Sequence, residues 1–270
     1  MSYFKNKTAI VTGSGMGIGK AIAFELCKAG ANVVLNGRNP DRLEKTYQEF
    51  LQAGYPVLAV QGDVTKISDC NILIQKALDA FDKIDFLITN AGISMRERFD
   101  NLQPEIFSQV IESNINGSAF PALTALPHIK KTKGSIVFIS SAAGMIGLPT
   151  ASAYSAGKMA LTALAQSLKI ELASSGVHIG IVHVGFTKND DAKRVLNATG
   201  ELIPVAERPA YLQQTQEQVA KSILSTIRKR RFKVVLTFVG KLNAFMVRFF
   251  PGLVIRIVTS SQKKMEKMYK

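Results

Sequence analysis

KTAIVTGSGMGIGKAIAFELCKAG, residues 7–30, decides the fold. It opens on KTAIVTG at 7–13, a short apolar run rich in β-branched residues that reads as a buried strand. It closes on a helical run from Ala21 to Ala29, stopped by Gly30. Between the two lie Thr12, Gly13, Ser14, Gly15, Met16, Gly17, Ile18 and Gly19. Glycines let the chain turn tightly and bring its backbone close to a ligand. The helix start that follows offers N–H groups and a positive dipole end to a pyrophosphate. Glycines alone are a weak signal; their place between strand and helix favours a phosphate turn over a turn without ligand.

Outward from this turn the alternation continues. Strands are predicted at 32–36 (NVVLN), 56–61, 84–89 (IDFLIT), 135–140 (SIVFIS), 177–184 and 233–237. Helices are predicted at 41–53, at 68–81 with Ser68 as N-cap, at 104–129 with a bend near Pro121, at 154–174 and at 215–231. Such alternation implies right-handed crossovers and a parallel sheet covered on both faces. The expected class is therefore α/β, a Rossmann-type doubly wound parallel sheet of about seven strands with helices on both faces. Residues 1–237 are expected to form one dinucleotide-binding and catalytic domain, with 238–270 as a basic amphipathic appendage.

Composition sets bounds on function. The 270 residues suffice for one large domain with a filled core, and 47% hydrophobic content argues against wholesale disorder. Cys27 and Cys70 fit neither a ligand spacing nor a disulfide framework, which predicts a reducing compartment. His128, His178 and His183 form no ligand pattern, so structural roles and no metal site are expected. Residues 1–7 lack the apolar core of a secretory signal peptide, and a cytoplasmic location is expected. Net charge is +14, but residues 221–270 hold 13 Lys/Arg against the single acid Glu266, so that segment carries +12 and the remainder +2. A basic end on a nearly neutral body predicts local attraction to a polyanion. A nucleic-acid enzyme would spread the charge along a groove; no nucleic-acid partner is expected.

After the second strand the chain reads Asn36-Gly37-Arg38-Asn39, with no acid before Asp41. An acid at this place binds the ribose 2′-hydroxyl of NAD, whereas an arginine accommodates the 2′-phosphate of NADP. Arg38 could grip that phosphate through two parallel hydrogen bonds, which favours NADP(H) over NAD(H). The bland reading makes Arg38 a solvated loop residue.

Tyr154 and Lys158 lie four residues apart on a predicted helix and share a face. Ser141 follows the fifth strand, Asn90-Ala91-Gly92 follows the fourth, and Asn114 sits in the next helix. Except for Asn114, these fall at the strand ends where open α/β sheets bind ligands.

With these elements the chain resembles the short-chain dehydrogenase/reductase family. The match comprises TGSGMGIG at 12–19, Asp63-Val64, NAG at 90–92, Asn114, Ser141 and YSAGK at 154–158, in order across residues 8–187. The resemblance implies hydride transfer between a nicotinamide and a carbonyl or alcohol carbon, leaving orientation and proton handling to the protein. Tyr154 would be the acid/base. A free tyrosine titrates near pH ~10, and a neighbouring ammonium lowers that value. Lys158 would supply the charge and bond the nicotinamide ribose, Ser141 would donate to the substrate oxygen, and Asn114 would hold a water between Lys158 and solvent. Asp63 and Val64 would contact adenine, and Asn90, with Ala91 and Gly92, would line the cofactor channel. A homo-oligomer is also implied.

One departure is Val184-Gly185 where the family usually carries Pro-Gly, which loosens the nicotinamide end; Gly185 keeps the turn, and Thr187 is assigned to the nicotinamide amide. Substrate walls are expected at 93–100, 145–150 and 186–214, the last as a lid. Met145, Ile146, Leu148 and Phe186 make two walls partly apolar, though core packing explains them equally. In the tail, Leu242, Phe245, Met246, Phe249 and Leu253 follow helical spacing, with Lys241 and Arg248 off that stripe. Such a segment lies in a membrane interface beside anionic head groups, or packs on protein; the charges argue against spanning. The expectation is a peripheral enzyme on the cytoplasmic membrane face, acting on a lipophilic ketone or secondary alcohol. The alternative is a noncatalytic dinucleotide-binding protein, which would bind NADPH and reduce no carbonyl.

Overall fold

The computed structural model describes residues 3–190, 192–205 and 213–262. β1 (Thr8–Val11) is buried throughout, as its β-branched run requires, and leads through the glycine turn into α1 (Gly17–Lys28). β2 (Asn32–Gly37), α2 (Pro40–Gln52), β3 (Val57–Gln61) and α3 (Ile67–Phe81) follow. β4 (Phe86–Thr89), α4 (Pro104–Asn114), α5 (Asn116–Thr132) and β5 (Ser135–Ser141) come next. Then come α6 (Ser152–Glu171), β6 (His178–Val184), β7 (Arg194–Leu196), β8 (Leu202–Pro204), α7 (Gln216–Arg228), β9 (Lys233–Val235), α8 (Phe238–Phe249) and α9 (Pro251–Ser260).

Seven strands form one sheet in the order β3-β2-β1-β4-β5-β6-β9, and every pairing is parallel. One face carries α1, α2 and α7 on a core that includes Ile22, Leu26, Phe50 and Ile223; the other carries α3, α5 and α6 over Leu73, Ile129 and Leu161. The doubly wound fold read from the sequence is therefore the observed one. From β1 the chain winds outward through β2 and β3, then returns to place β4 on the other side of β1. At that reversal the two helical layers diverge and a crevice opens at the carboxyl ends of the strands.

Four local expectations need correction. Ser68 is not the cap of α3: the helix starts at Ile67 after Lys66, and the Ser68 hydroxyl donates to Asp69 at 3.1 Å. The long helix expected at 104–129 is two helices that part at Ile115, and Pro121 and Pro127 lie inside the second without a break. The parting coincides with Asn114, whose side-chain amide donates to the Val110 and Ile93 carbonyls, at 2.9 and 2.7 Å, and so competes with regular helix bonding. Residues 186–214 contain the antiparallel pair β7–β8, turned by Asn197, whose side chain accepts from Thr199 and Glu201. The tail is α8 and α9 with Phe250 between them, because Pro251 lacks the N–H that would continue the first helix and instead opens the second. Residues 191 and 206–212 of the expected lid and 263–270 of the tail lie outside the described residues.

Candidate active site

The glycine turn is locked to the strands beside it. Thr12 Oγ1 accepts the backbone N–H groups of Asn90 and Ala91, each at 3.1 Å, which ties the end of β1 to the end of β4. Asn90 Nδ2 donates to the carbonyls of Thr12 and Gly13 at 3.0 and 3.1 Å. Gly13 has φ +63°, and a Cβ there would sit 2.9 Å from Ala91 Cα; one on Gly19 would overlap the Gly13 carbonyl. Gly17 opens α1 at φ +58° with no atom within 4 Å of where its Cβ would be. The helix start thus borders open space on the Cβ side of Gly17, where a pyrophosphate could approach. Ser14 and Gly15 do not line that space. Ser14 is fully buried and brackets β2, bonding the Asn36 backbone in both directions, and the Gly15 carbonyl accepts from Thr46 at 3.0 Å.

A cleft of about 540 Å³ runs from this turn along the strand ends. It is lined by Gly13, Gly17, Ile18, Gly19, Arg38, Asp63, Val64, Asn90, Ala91, Gly92, Ser141, Tyr154, Lys158, Gly185 and Thr187, all singled out by the sequence. At one end Arg38 stands 3.6 Å from Asp63. Burial pushes the Asp63 carboxyl up, but bonds from the Thr65 N–H and hydroxyl, with the charges of Arg38 and Lys66, outweigh it and hold it below its ordinary value.

At the other end β5 and α6 bring Ser141, Tyr154 and Lys158 to the same cleft. Lys158 is 5% exposed, and its Nζ donates to the Ile139 carbonyl at 2.9 Å and lies 5.8 Å from the Tyr154 ring centroid. Burial, with a smaller contribution from the Lys193 charge, lowers its pKa to about 8, so it remains mainly an ammonium at neutral pH. Ser141 ends β5, and its Oγ accepts the Ala143 N–H at 3.2 Å, which leaves its own proton to be donated elsewhere. Asn114 does not line the cleft; it lies fully buried behind Gly92. Its Oδ1 has no hydrogen-bond partner, and a Cβ on Gly92 would stand 2.6 Å from that oxygen and 3.4 Å from Lys158 Nζ. A buried amide oxygen beside an ammonium is a place for a bridging hydrogen-bond donor.

Toward the lid, Thr187 Oγ1 donates to the Gly185 carbonyl at 3.3 Å, and Thr187 pairs with Gln214. A Cβ on Gly185 would press on Thr237 at 2.9 Å. Thr237, at φ +66°, caps α8 by accepting the Gly240 N–H at 3.0 Å. The Asp190 carboxylate accepts the Gly17 N–H at 3.3 Å, and so sits at the phosphate turn itself.

Sequence reasoning missed several of these groups. Arg42 lines the cleft beside Arg38; its place in the first turn of a helix capped by Asn39 was a usable signal. Thr12 and the Ile139 carbonyl act through bonds that no residue pattern announces. His183 was read as structural, and the structure gives it a partner in the site: its Nδ1 lies 3.2 Å from the Ser141 carbonyl. Because that carbonyl only accepts, Nδ1 carries the proton. Burial drives the His183 pKa down to about 4 and keeps the ring neutral.

The residues present fit a dinucleotide: a glycine cradle in which two positions exclude a side chain, a cationic pair at the ribose-phosphate end and an orphaned polar atom by the buried ammonium. At the far end a phenol, a buried ammonium and a hydroxyl line the same cleft, an arrangement able to hold and donate a proton.

Comparison with known proteins is consistent with this geometry. The family described as short chain dehydrogenase matches residues 7–199. The chain is 37% identical over 193 residues to 11-beta-hydroxysteroid dehydrogenase-like 2 of Arabidopsis thaliana, a match covering 70% of this chain and 62% of that relative's length. It is 30% identical over 274 positions to dehydrogenase/reductase SDR family member 7B of Bos taurus, covering 98% of this chain and 84% of the relative. Among solved structures, a short chain dehydrogenase/reductase from Burkholderia phymatum in complex with NAD superimposes with a TM-score of 0.77 at 21% identity, covering 100% of this chain and 98% of that one. An alcohol dehydrogenase from Thermococcus sibiricus complexed with 5-hydroxy-NADP superimposes with a TM-score of 0.73 at 25% identity, covering 85% and 95%.

Proposed function

The chain belongs to the short chain dehydrogenase family, and from that premise we propose that it moves a hydride between NADP(H) and the carbonyl or hydroxyl carbon of a lipophilic ketone or secondary alcohol, with Tyr154 as the acid/base. The observation that carries the proposal is the buried Lys158 ammonium one helical turn from Tyr154, facing Ser141 across the same cleft. A nicotinamide cofactor held in the cleft would supply or take the hydride. Tyr154 gives its proton to the oxygen that gains charge and takes it back in the reverse direction. Lys158 favours the phenolate and, with Asn114 behind it, holds the route by which the proton is replaced. Ser141 donates to the same substrate oxygen and fixes it, and the N–H groups of the glycine turn hold the pyrophosphate.

Preference for NADP(H) rests on Arg38 and Arg42 at the mouth of the cleft, with no acid at the end of β2. Stopped-time assays with both cofactors test it: wild type should favour NADPH, and Arg38→Asp should lose that preference. An undiminished preference refutes the assignment. A lipophilic substrate is supported by Met95, Leu148 and Leu202 along the far walls, and by relatives whose names refer to hydroxysteroids. A protein that binds NADPH yet reduces no member of a broad carbonyl panel would be the noncatalytic alternative.

Membrane association is part of the same proposal. No helix among the described residues is long and apolar enough to cross a bilayer. Leu242, Phe245, Phe249 and Leu253 are exposed along α8 and α9, with Lys241, Arg248 and Arg256 beside them. Lysine and arginine around an exposed apolar stripe suit an anionic lipid surface. In vesicle sedimentation, wild type should pellet with phosphatidylserine vesicles, and Phe245→Asp with Phe249→Asp should remain in the supernatant. Equal partition of the two proteins defeats this reading.

A further inference from the structure

The two histidines of β6 are both buried, and they are bonded differently. His178 is satisfied at both ring nitrogens: Nδ1 lies 3.1 Å from Ser135 Oγ and Nε2 lies 3.0 Å from the Arg231 carbonyl. His183 has one bond, from Nδ1 to the Ser141 carbonyl at 3.2 Å, and its Nε2 is buried without a partner among the described residues. Side chains alternate along a strand, so His183 lies on the same face as Ile179 and Ile181, both buried in the core that α6 covers through Leu161 and Ala165. An aliphatic side chain would fill that place with no polar atom left over, and a buried nitrogen without a partner costs free energy. What the imidazole adds there is the bond to Ser141.

That bond completes a series at the end of β5. The Ile139 carbonyl accepts from Lys158 Nζ at 2.9 Å, Ser140 Oγ donates to the Lys158 carbonyl at 3.1 Å, and the Ser141 carbonyl accepts from His183. Lys158 thus holds the first two residues and His183 the third. The chain leaves the sheet directly after Ser141, in a single turn over Ala142–Gly144, so this is the residue whose direction the strand fixes least. Resting on the proposed hydride transfer, in which Ser141 donates to the substrate oxygen, we infer that His183 is a positioning residue. Its Nδ1–H holds the Ser141 peptide, and with it the direction in which the hydroxyl points. The hydroxyl oxygen is held in turn by the Ala143 N–H, so peptide and side chain of Ser141 are each anchored by one donor. A donor that must meet a developing charge is effective only when so placed in advance.

The test uses the full chain with NADPH and the fastest substrate in a carbonyl panel spanning 2-decanone, decanal and 4-nitrobenzaldehyde. His183→Leu keeps the bulk and removes the donor; it should lower kcat about tenfold while the NADPH dissociation constant stays within about twofold of wild type. His183→Asn returns an N–H near the place of Nδ1 and should recover kcat to within about threefold of wild type. Ser141→Ala should lower kcat by about 10²–10³, and in that background His183→Leu should cost less than about twofold more, because the donor it orients is already gone. A further full tenfold loss in the Ser141→Ala background overturns the inference, since the ring then acts through packing. Equal kcat in the Asn and Leu variants overturns it too. A second measurement needs neither turnover nor a folded variant: proton–nitrogen correlation on wild type labelled with 15N-histidine should place the His183 proton on Nδ1 at neutral pH, and a proton on Nε2 overturns the inference. Wild type that binds NADPH and reduces nothing in the panel defeats the hydride-transfer reading and this inference with it; turnover unchanged by His183→Leu defeats this inference alone.

Discussion

The floor of the cleft and its lid are built by opposite means. The floor is interlocked: Thr12, Asn90, Lys158 and His183 each bond backbone atoms that the sheet has already fixed, and little there can move alone. The lid side is a pair of three-residue strands, β7 and β8, joined to the body by hydrogen bonds from short segments: Asp190 to Gly17, Gln216 to Lys188, and the backbone bonds of Leu196 to Ser94 and Arg96. A constellation for chemistry needs positions good to a fraction of an ångström, which strands and helix faces supply; a wall that admits substrate needs bonds that can be exchanged. Substitutions in the floor should therefore fail abruptly, and those in the lid should give graded effects.

The largest effect is expected at Tyr154. Tyr154→Phe should cut kcat by about 10²–10⁴ while leaving the NADPH dissociation constant near that of wild type, since positioned acid/base groups contribute on that scale. Single-turnover assays with a fluorescence titration of cofactor check both halves; a fall in kcat under about tenfold would break the contrast at its strongest point.

Next is His183, 1% exposed and bonded to the backbone of Ser141. Its pKa of about 4 in the folded chain lies below the ordinary 6.5. Between these values the unfolded chain binds the extra proton, so stability is complete above about pH 6.5 and falls as pH drops toward about 4, by on the order of 3 kcal/mol. His183→Gln keeps a donor for the carbonyl and does not titrate, and should flatten that acid limb. Urea titrations at neutral and acid pH decide it; the same acid loss in both proteins would remove His183 from the floor's account.

How much was legible follows the same division. The glycine turn could be read because close backbone approach demands that residue type; Tyr154, Lys158 and Ser141 were picked out by resemblance to a known family, and the structure brings the three to one cleft. The parting at Ile115 was hidden: two prolines nearby carry the usual breaker signal, yet the break falls where the Asn114 amide reaches the Ile93 carbonyl, 21 residues back. The β7–β8 pair was hidden for a similar reason. RVL and LIP are too short to show a period, and Leu196 answers to Met95 across most of a domain. Asn197 and Gly200 were an available turn signal, passed over inside a segment read as a lid. Ser14 fitted the phosphate motif but is spent on holding β2.

On the lid side, Asp190→Asn should tighten NADPH binding about fivefold, because it removes a negative charge from the pyrophosphate position at a cost-free change of shape; unit charges about 4 Å apart in a watery cleft interact by about 1 kcal/mol. Titration of both proteins checks this, and weaker binding in the variant would mean that the carboxylate braces the closed cleft. The smallest effect is a change in pH profile. Lys193 helps depress the Lys158 pKa, so Lys193→Met should move the alkaline limb of kcat upward from about 8. An unmoved limb would place Lys193 electrically outside the floor and sharpen the division between the two regions.

Thr237 stands where the body hands over to the tail. A β-branched residue at φ +66° holds about 1–3 kcal/mol of backbone strain, kept in place by its cap on α8 and its contact with Gly185. It works as a loaded joint with one arm on the tail and the other on the turn after β6. The Thr237 methyl and hydroxyl both crowd Gly185, so a displacement at the start of α8 is felt first at the turn after β6.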